Sequence, residues 1–147
     1  MDFRRLLIPI LFLLAYACLA GCTERLVTID GIEVEGSQEF REETEKAITL
    51  LSQTHYYGEI KTYVKRIREH PSSGMDVYAD KPTFNVARKS WSHSTIWYAG
   101  IIAHDSYHSK LYHEAKDDND GLEPPKKAWT GSEAEKKCID YQIKVLR

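Results

Sequence analysis

The chain has 147 residues, of which 42% are hydrophobic and 29% charged, and its formal net charge is −2. This length and composition fit one small globular domain and exclude a disordered tail or a fibrous protein. The slightly negative charge also disfavours nucleic-acid binding, because contacts to phosphates need a basic surface. We therefore expect no nucleic-acid partner.

The first residues of the chain differ in character from the rest. Arg4 and Arg5 precede an apolar run from Leu6 to Ala20, and small residues end the run directly before Cys22. The run holds about 15 residues, fewer than the roughly 20 that span a bilayer, so a cleaved signal fits better than a transmembrane anchor. The segment resembles a bacterial lipoprotein signal peptide, which implies cleavage before Cys22 and acylation of its thiol.

This resemblance implies a domain organisation and a location. Residues 1–21 are then the signal peptide, 22–37 a lipidated tether and 38–147 the folded domain. The membrane is a partner through the N-terminal lipid, where several acyl chains give stable anchoring. The implied location is the bacterial cell envelope. In a Gram-negative cell, an aspartate after the lipidated cysteine would resemble a signal for retention in the inner membrane. This chain has Thr23 there instead, so we expect the outer membrane. Cys138 then has no disulfide partner, and we expect a monomer.

The first half of the predicted domain combines a helix with short strands. Apolar residues at steps of three and four predict one long helix over residues 38–69, with Ser37 as its N-cap and Pro71 beyond its end. Short apolar runs, the second with clear alternation, predict strands over residues 75–79 and 83–89.

Two more helices complete the prediction. The first begins at Ser94 or Thr95 and reaches about Glu114, a polar loop covers residues 115–130, and the second begins near Ser132. The order of helix, two strands, helix, loop and helix predicts an α+β domain.

The strongest chemical signal is a pair of histidines in the second predicted helix. His104 and His108 are four residues apart, so their side chains lie on one face. Two imidazoles at this spacing can share one Zn²⁺ at about 2.0–2.1 Å each. Asp105 follows the first histidine and is placed to accept a proton from a water that the metal polarises. The alternative is a chance pair of structural histidines.

The third predicted helix offers a carboxylate. One face at steps of three and four carries Glu135, Cys138, Ile139, Gln142 and Leu146. A glutamate among apolar and small residues on an inward face needs a cation. The alternative is an acid near a helix N-terminus, which the helix dipole stabilises by about 0.3–1 kcal/mol.

These two helices, over roughly residues 75–146, resemble those of a zincin-like metallopeptidase, and more narrowly the gluzincin group. The resemblance implies a zincin-like α+β fold and zinc-dependent hydrolysis of a peptide or other amide bond in a peptide or protein substrate. It implies that His104, His108 and Glu135 hold Zn²⁺ while water takes the fourth position. Glu133 is the substitute ligand if the helix is rotated.

The sequence departs from the family at Asp105, where the general base is normally glutamate. Aspartate is one methylene shorter, and general-base catalysis needs heavy atoms within about 2.6–3.2 Å. Activity is therefore expected to be weak; the alternative is a catalytically inactive zincin-like module that binds a partner or has a structural role. The oxyanion-stabilising residue stays open, with Tyr107, Tyr112, His113 and Tyr141 near enough in sequence.

A second family shares part of this motif. The His104–Asp105 doublet resembles that of HD-type phosphohydrolases, with His70 as the upstream and Asp140 as the downstream metal ligand. Those domains are all-helical, whereas residues 75–89 are predicted to form strands. The doublet also leaves the second histidine of the pair unexplained. The phosphohydrolase is therefore the less favoured alternative.

Overall fold

Two strands, two helices, three strands and a final group of helices follow one another along residues 25–147, which are the residues that the computed structural model describes. The predicted signal peptide and Cys22 lie outside this range. The architecture is α+β, as predicted. The elements are β1 Arg25–Ile29, β2 Ile32–Gly36, α1 Gln38–Ser52, α2 Tyr57–Tyr63, β3 Arg66–Glu69, β4 Gly74–Asp76, β5 Thr83–Val86, α3 Arg88–Trp91, α4 Thr95–Asp117, a 3₁₀ turn Lys126–Ala128 and α5 Ser132–Val145. Within residues 25–147 no helix is long and apolar enough to cross a membrane.

The strands form one mixed sheet in the order β1-β2-β3-β5-β4. The central strands β2, β3 and β5 are parallel, and both edge strands run antiparallel to their neighbours. Val34, Ile67 and Phe84 stand side by side across the central strands, and all three are fully buried. The short strand β4 therefore closes one edge of the sheet.

The hairpin β1-β2 belongs to the folded domain. Residues 25–36 fall within the predicted tether, but they pair into the sheet and bury Ile32 and Val34. Asp30 and Gly31 both have positive φ, at 45° and 83°, which is the turn geometry that matches the twist of a two-residue hairpin. The domain thus begins before residue 38, and nothing in residues 25–36 acts as a free tether.

The prediction of one long N-terminal helix over residues 38–69 is wrong. Ser37 does cap a helix, since its hydroxyl accepts from the Phe40 amide at 3.3 Å, but α1 ends at Ser52. The short helix α2 follows, and residues 66–69 are strand β3. Ile67 is the one buried residue of this segment and lies between charged neighbours. In a segment of only four residues, such a pattern fits a helix and a strand equally well. Pairing with β2 and β5 selects the strand.

The helix α4 crosses the centre of the domain, and its bounds agree with the prediction. The Ser94 hydroxyl caps it by accepting from the Trp97 amide at 3.2 Å. Tyr98 is fully buried, and its hydroxyl shares a 2.8 Å hydrogen bond with that of Thr44 in α1. The helix α5 packs antiparallel against α4. At Gly100 the two helices are so close that a Cβ would lie 2.9 Å from the Gln142 side chain.

Candidate metal site

The predicted histidine pair and the predicted glutamate meet between α4 and α5. The Nε2 atoms of His104 and His108 are 3.2 Å apart. The Glu135 carboxylate reaches both rings, with Oε2 at 3.3 Å from His104 Nε2 and Oε1 at 3.2 Å from His108 Nε2. A tetrahedral ion with bonds of about 2.0–2.1 Å places its ligand atoms about 3.3 Å apart. The two nitrogens thus have the separation of ligands around one ion, and each of them contacts a different oxygen of the Glu135 carboxylate. We call these three side chains the donor cluster.

A backbone carbonyl fixes the orientation of the His108 ring. His108 Nδ1 lies 2.7 Å from the carbonyl oxygen of Trp129, in the loop before α5. Because a carbonyl only accepts, Nδ1 carries a proton, and in the neutral ring the lone pair is then on Nε2, which faces the other donors. Such outer partners set the tautomer of metal-binding histidines. Sequence reasoning had no signal for this contact, since any residue type supplies a carbonyl.

Burial favours the neutral form of His104. It lowers the pKa of that imidazole, and the neighbouring His108 acts in the same direction. Glu135 and a hydrogen bond to the Gln142 side chain raise the pKa in part. Neutral imidazole is the form that ligates a metal, so the surroundings of His104 suit a ligand.

Cys138 adds a fourth metal-binding group that sequence reasoning did not assign. The residue is fully buried, and its Sγ lies with one ring nitrogen each of His104 and His108 in a group whose atoms are all within 4.8 Å of one another. Burial raises the pKa of the thiol to about 12, helped by the charges of Glu135 and Asp105. The signal was present in the sequence, because Cys138 follows Glu135 by three residues on the same helix face.

The donors open onto a cavity of about 290 Å³. Four parts of the fold supply its walls: β4 with the residue before it, helix α4, the loop before α5 and the beginning of α5. The lining residues are Ser73, Gly74, Met75, His104, Asp105, His108, Trp129, Thr130 and Glu135. A larger groove of about 580 Å³ lies along α1, but its walls are the side chains of Glu42, Glu45, Lys46 and Thr49, without converging metal donors. The smaller cavity is therefore the candidate site.

The predicted general base lies in the wall of this cavity. Burial raises the pKa of the Asp105 carboxyl to about 7, and the nearby charge of Glu135 acts in the same direction. A cation beside the carboxylate would lower this pKa again. Asp105 thus lies in the same cavity wall as the donor cluster without being part of the contacts within that cluster.

The residues named for oxyanion stabilisation lie elsewhere. The Tyr107 ring stacks on Tyr141 with ring centroids 4.6 Å apart. The Tyr112 hydroxyl donates to Glu123 at 2.9 Å. Neither these three tyrosines nor His113 belong to the cavity walls formed by the described residues. Of the polar side chains that do line the cavity, Thr130 donates its hydroxyl to the Lys126 carbonyl at 2.8 Å.

The other candidate ligands are also outside the cavity. Glu133 and Glu135 are both exposed in the first turn of α5, but it is the Glu135 carboxylate that contacts the two histidines. His70 is exposed at the end of β3, where its Nδ1 lies 3.2 Å from the Ser72 amide. Asp140 is exposed on α5. The arrangement of an HD-type phosphohydrolase is therefore not formed.

Comparison with protein-family models, with curated proteins and with solved structures gives no match to this chain.

Proposed function

We propose that this protein is a zinc-dependent hydrolase of peptide or other amide bonds. His104, His108 and Glu135 would be the metal ligands and Asp105 the general base. The observation that carries the proposal is the donor cluster in the wall of a cavity, with contacts of 3.2–3.3 Å between the two imidazole nitrogens and from each of them to the Glu135 carboxylate.

The donor set suits zinc among the common metals. Two imidazoles and one carboxylate are a known catalytic combination for Zn²⁺, whereas Mg²⁺ and Ca²⁺ prefer oxygen ligands alone. Bound Zn²⁺ supplies a Lewis acid that polarises a carbonyl and lowers the pKa of a water. The Trp129 carbonyl supports this use by holding His108 with Nε2 towards the site.

Asp105 is the group that moves the proton. Its carboxylate would accept the proton that the attacking water loses and pass it to the nitrogen of the leaving amine. Because aspartate is shorter than glutamate, the contact to water is expected to be longer and turnover slow. The position of Asp105 in the cavity wall supports the assignment.

The edge strand β4 favours an extended peptide as substrate. It pairs with β5 on one side only and stands at the end of the sheet. Gly74 and Met75 of this strand line the same cavity as the histidines. An extended peptide can add to such an edge through main-chain hydrogen bonds, which would place its backbone beside the donor cluster.

The location follows from the sequence of the N-terminal segment. We propose that lipid on Cys22 anchors the protein at the bacterial cell envelope, on the outer membrane in a Gram-negative cell. Cys22→Ser should release the protein from the membrane fraction, since the proposed lipid is then no longer attached. Retention of this variant in the membrane fraction would instead indicate an uncleaved apolar segment.

Metal content tests the proposal first. Elemental mass spectrometry of protein purified without a histidine tag should find about one zinc per chain. His108→Ala should lose the zinc, whereas His70→Ala, which changes an exposed histidine, should keep it. Absence of zinc even after its addition would refute the site.

Hydrolysis of a fluorogenic peptide library then tests the chemistry. The wild type should cleave slowly, Asp105→Glu faster because its carboxylate reaches further, and Asp105→Asn not at all. The second candidate, a non-catalytic zincin-like module, is favoured by the buried thiol of Cys138 beside the donors. One zinc per chain without cleavage by the wild type or Asp105→Glu would support that candidate.

A further inference from the structure

Cys138 lies where a further ligand to the same metal would be placed. It follows Glu135 by one helical turn on the face of α5 that packs against α4, and its side chain is fully buried. Its sulfur lies within 4.8 Å of a ring nitrogen of both His104 and His108. Thiolate sulfur and imidazole nitrogen are both ligands that zinc accepts, so this proximity permits a shared metal.

We propose that Cys138 is the fourth ligand of the metal and that its thiolate closes the site in the resting protein. This inference rests on the metal site proposed above and concerns its regulation. The thiol loses its proton to solvent as the bond between sulfur and metal forms, as metal binding to cysteine requires.

The helices bring the four donors together from two sides. The two histidines are one turn apart on α4, and Glu135 and Cys138 are one turn apart on the antiparallel helix α5. In a tetrahedral zinc site, with bonds of about 2.3 Å to sulfur and about 2.0–2.1 Å to nitrogen, these two atoms are about 3.6 Å apart. The sulfur–nitrogen distances in the structure are at most 4.8 Å, so the sulfur has to move by no more than roughly an ångström to reach the spacing of a zinc site. Rotation of the cysteine side chain about its Cα–Cβ bond can supply this movement.

A fourth protein ligand changes what the site can do. Zinc with four protein ligands has the closed coordination of a structural site, whereas catalytic zinc keeps one position for water or substrate. While Cys138 is bound, hydrolysis would therefore be suppressed, and displacement of its thiolate would open the site. The thiolate would also favour Zn²⁺ over Mg²⁺, Ca²⁺ and Mn²⁺.

Cobalt substitution tests the ligand directly. Co²⁺ added to the metal-free full-length protein should give visible d–d bands and a near-ultraviolet charge-transfer band from thiolate to cobalt. Cys18→Ser/Cys22→Ser leaves Cys138 as the single thiol of the chain and should keep the charge-transfer band. Cys138→Ser should lose that band while keeping the d–d bands, and its zinc affinity should fall at least about tenfold, as for other disruptions of zinc sites.

The outcomes separate this inference from the proposed function. Suppose that Cys18→Ser/Cys22→Ser shows d–d bands that depend on His108 but no charge-transfer band from thiolate to cobalt. This result would overturn the inference about Cys138 and leave the proposed metal site standing. Absence of any cobalt binding would overturn both. The third readout is peptide hydrolysis per bound zinc, which should rise in Cys138→Ala because the fourth position is freed. An unchanged or lower rate per zinc would overturn the closing role.

Discussion

Zinc binding should stabilise the folded domain, because its ligands come from two different helices. His104 and His108 lie on α4, and Glu135 lies on α5 after a long loop, so the donor cluster exists only when the helices are packed. A ligand that binds only the folded state adds RT ln(1 + [L]/Kd) to the free energy of unfolding. At a free zinc concentration of 100 times Kd, this is about 2.7 kcal/mol.

This free energy converts to a shift of the melting temperature. A domain of about 120 residues has an entropy of unfolding near 0.25 kcal/mol/K, from about 2.1 cal/mol/K per residue. Dividing the stabilisation of about 2.7 kcal/mol by this entropy of unfolding gives an increase in Tm of about 10 °C. Each further tenfold excess of zinc should add about 1.4 kcal/mol, which corresponds to about 5 °C more.

Thermal melts followed by circular dichroism measure this shift. The protein is melted with a chelator and then at increasing buffered zinc concentrations, and each variant is compared with itself. The shift should vanish in His108→Ala and persist in His70→Ala, since His70 is exposed and outside the cavity. An unchanged Tm in the wild type, or an equal rise in His104→Ala and His108→Ala, would refute the reasoning.

Three further predictions concern stability. Thr44→Val should lower the free energy of unfolding, measured by urea denaturation, by about 1–3 kcal/mol, because the buried Tyr98 hydroxyl loses its partner. Tyr98→Phe should lower it by about 0.5–1.5 kcal/mol. The double variant should lose less than the sum of the two single losses, because both changes remove the same hydrogen bond. Gly36→Ala should cost about 1–3 kcal/mol by the same assay, since its Cβ would lie 2.6 Å from the Phe40 ring; an unchanged midpoint would contradict this. Without metal, stability should fall from about pH 4 to about pH 7, because the folded state keeps the Asp105 proton up to its raised pKa of about 7 while the unfolded chain releases it near 3.8. Chemical denaturation across this range should show a smaller fall for Asp105→Asn.

Local patterns in the sequence were sufficient for the two helices that carry the site. Ser94 as N-cap and the spacing of apolar residues predicted α4, and the start of α5 near Ser132 agreed with the structure. The neighbouring positions of His104 and His108 follow from the helix repeat alone, since residues four apart share a face. These features depend on residues within a few positions of each other, which is why one sequence specifies them.

Contacts between distant segments decided the rest. Residues 66–69 became a strand because β2 and β5 lie on either side, and residues 25–36 joined the sheet for the same reason. The choice of Glu135 over Glu133, the approach of Cys138 and the Trp129 carbonyl on His108 all depend on how α5 and its loop pack against α4. The sequence by itself thus determined which local segments could carry metal donors. Only packing decided which donors meet, because distances across helices and strands depend on the whole core.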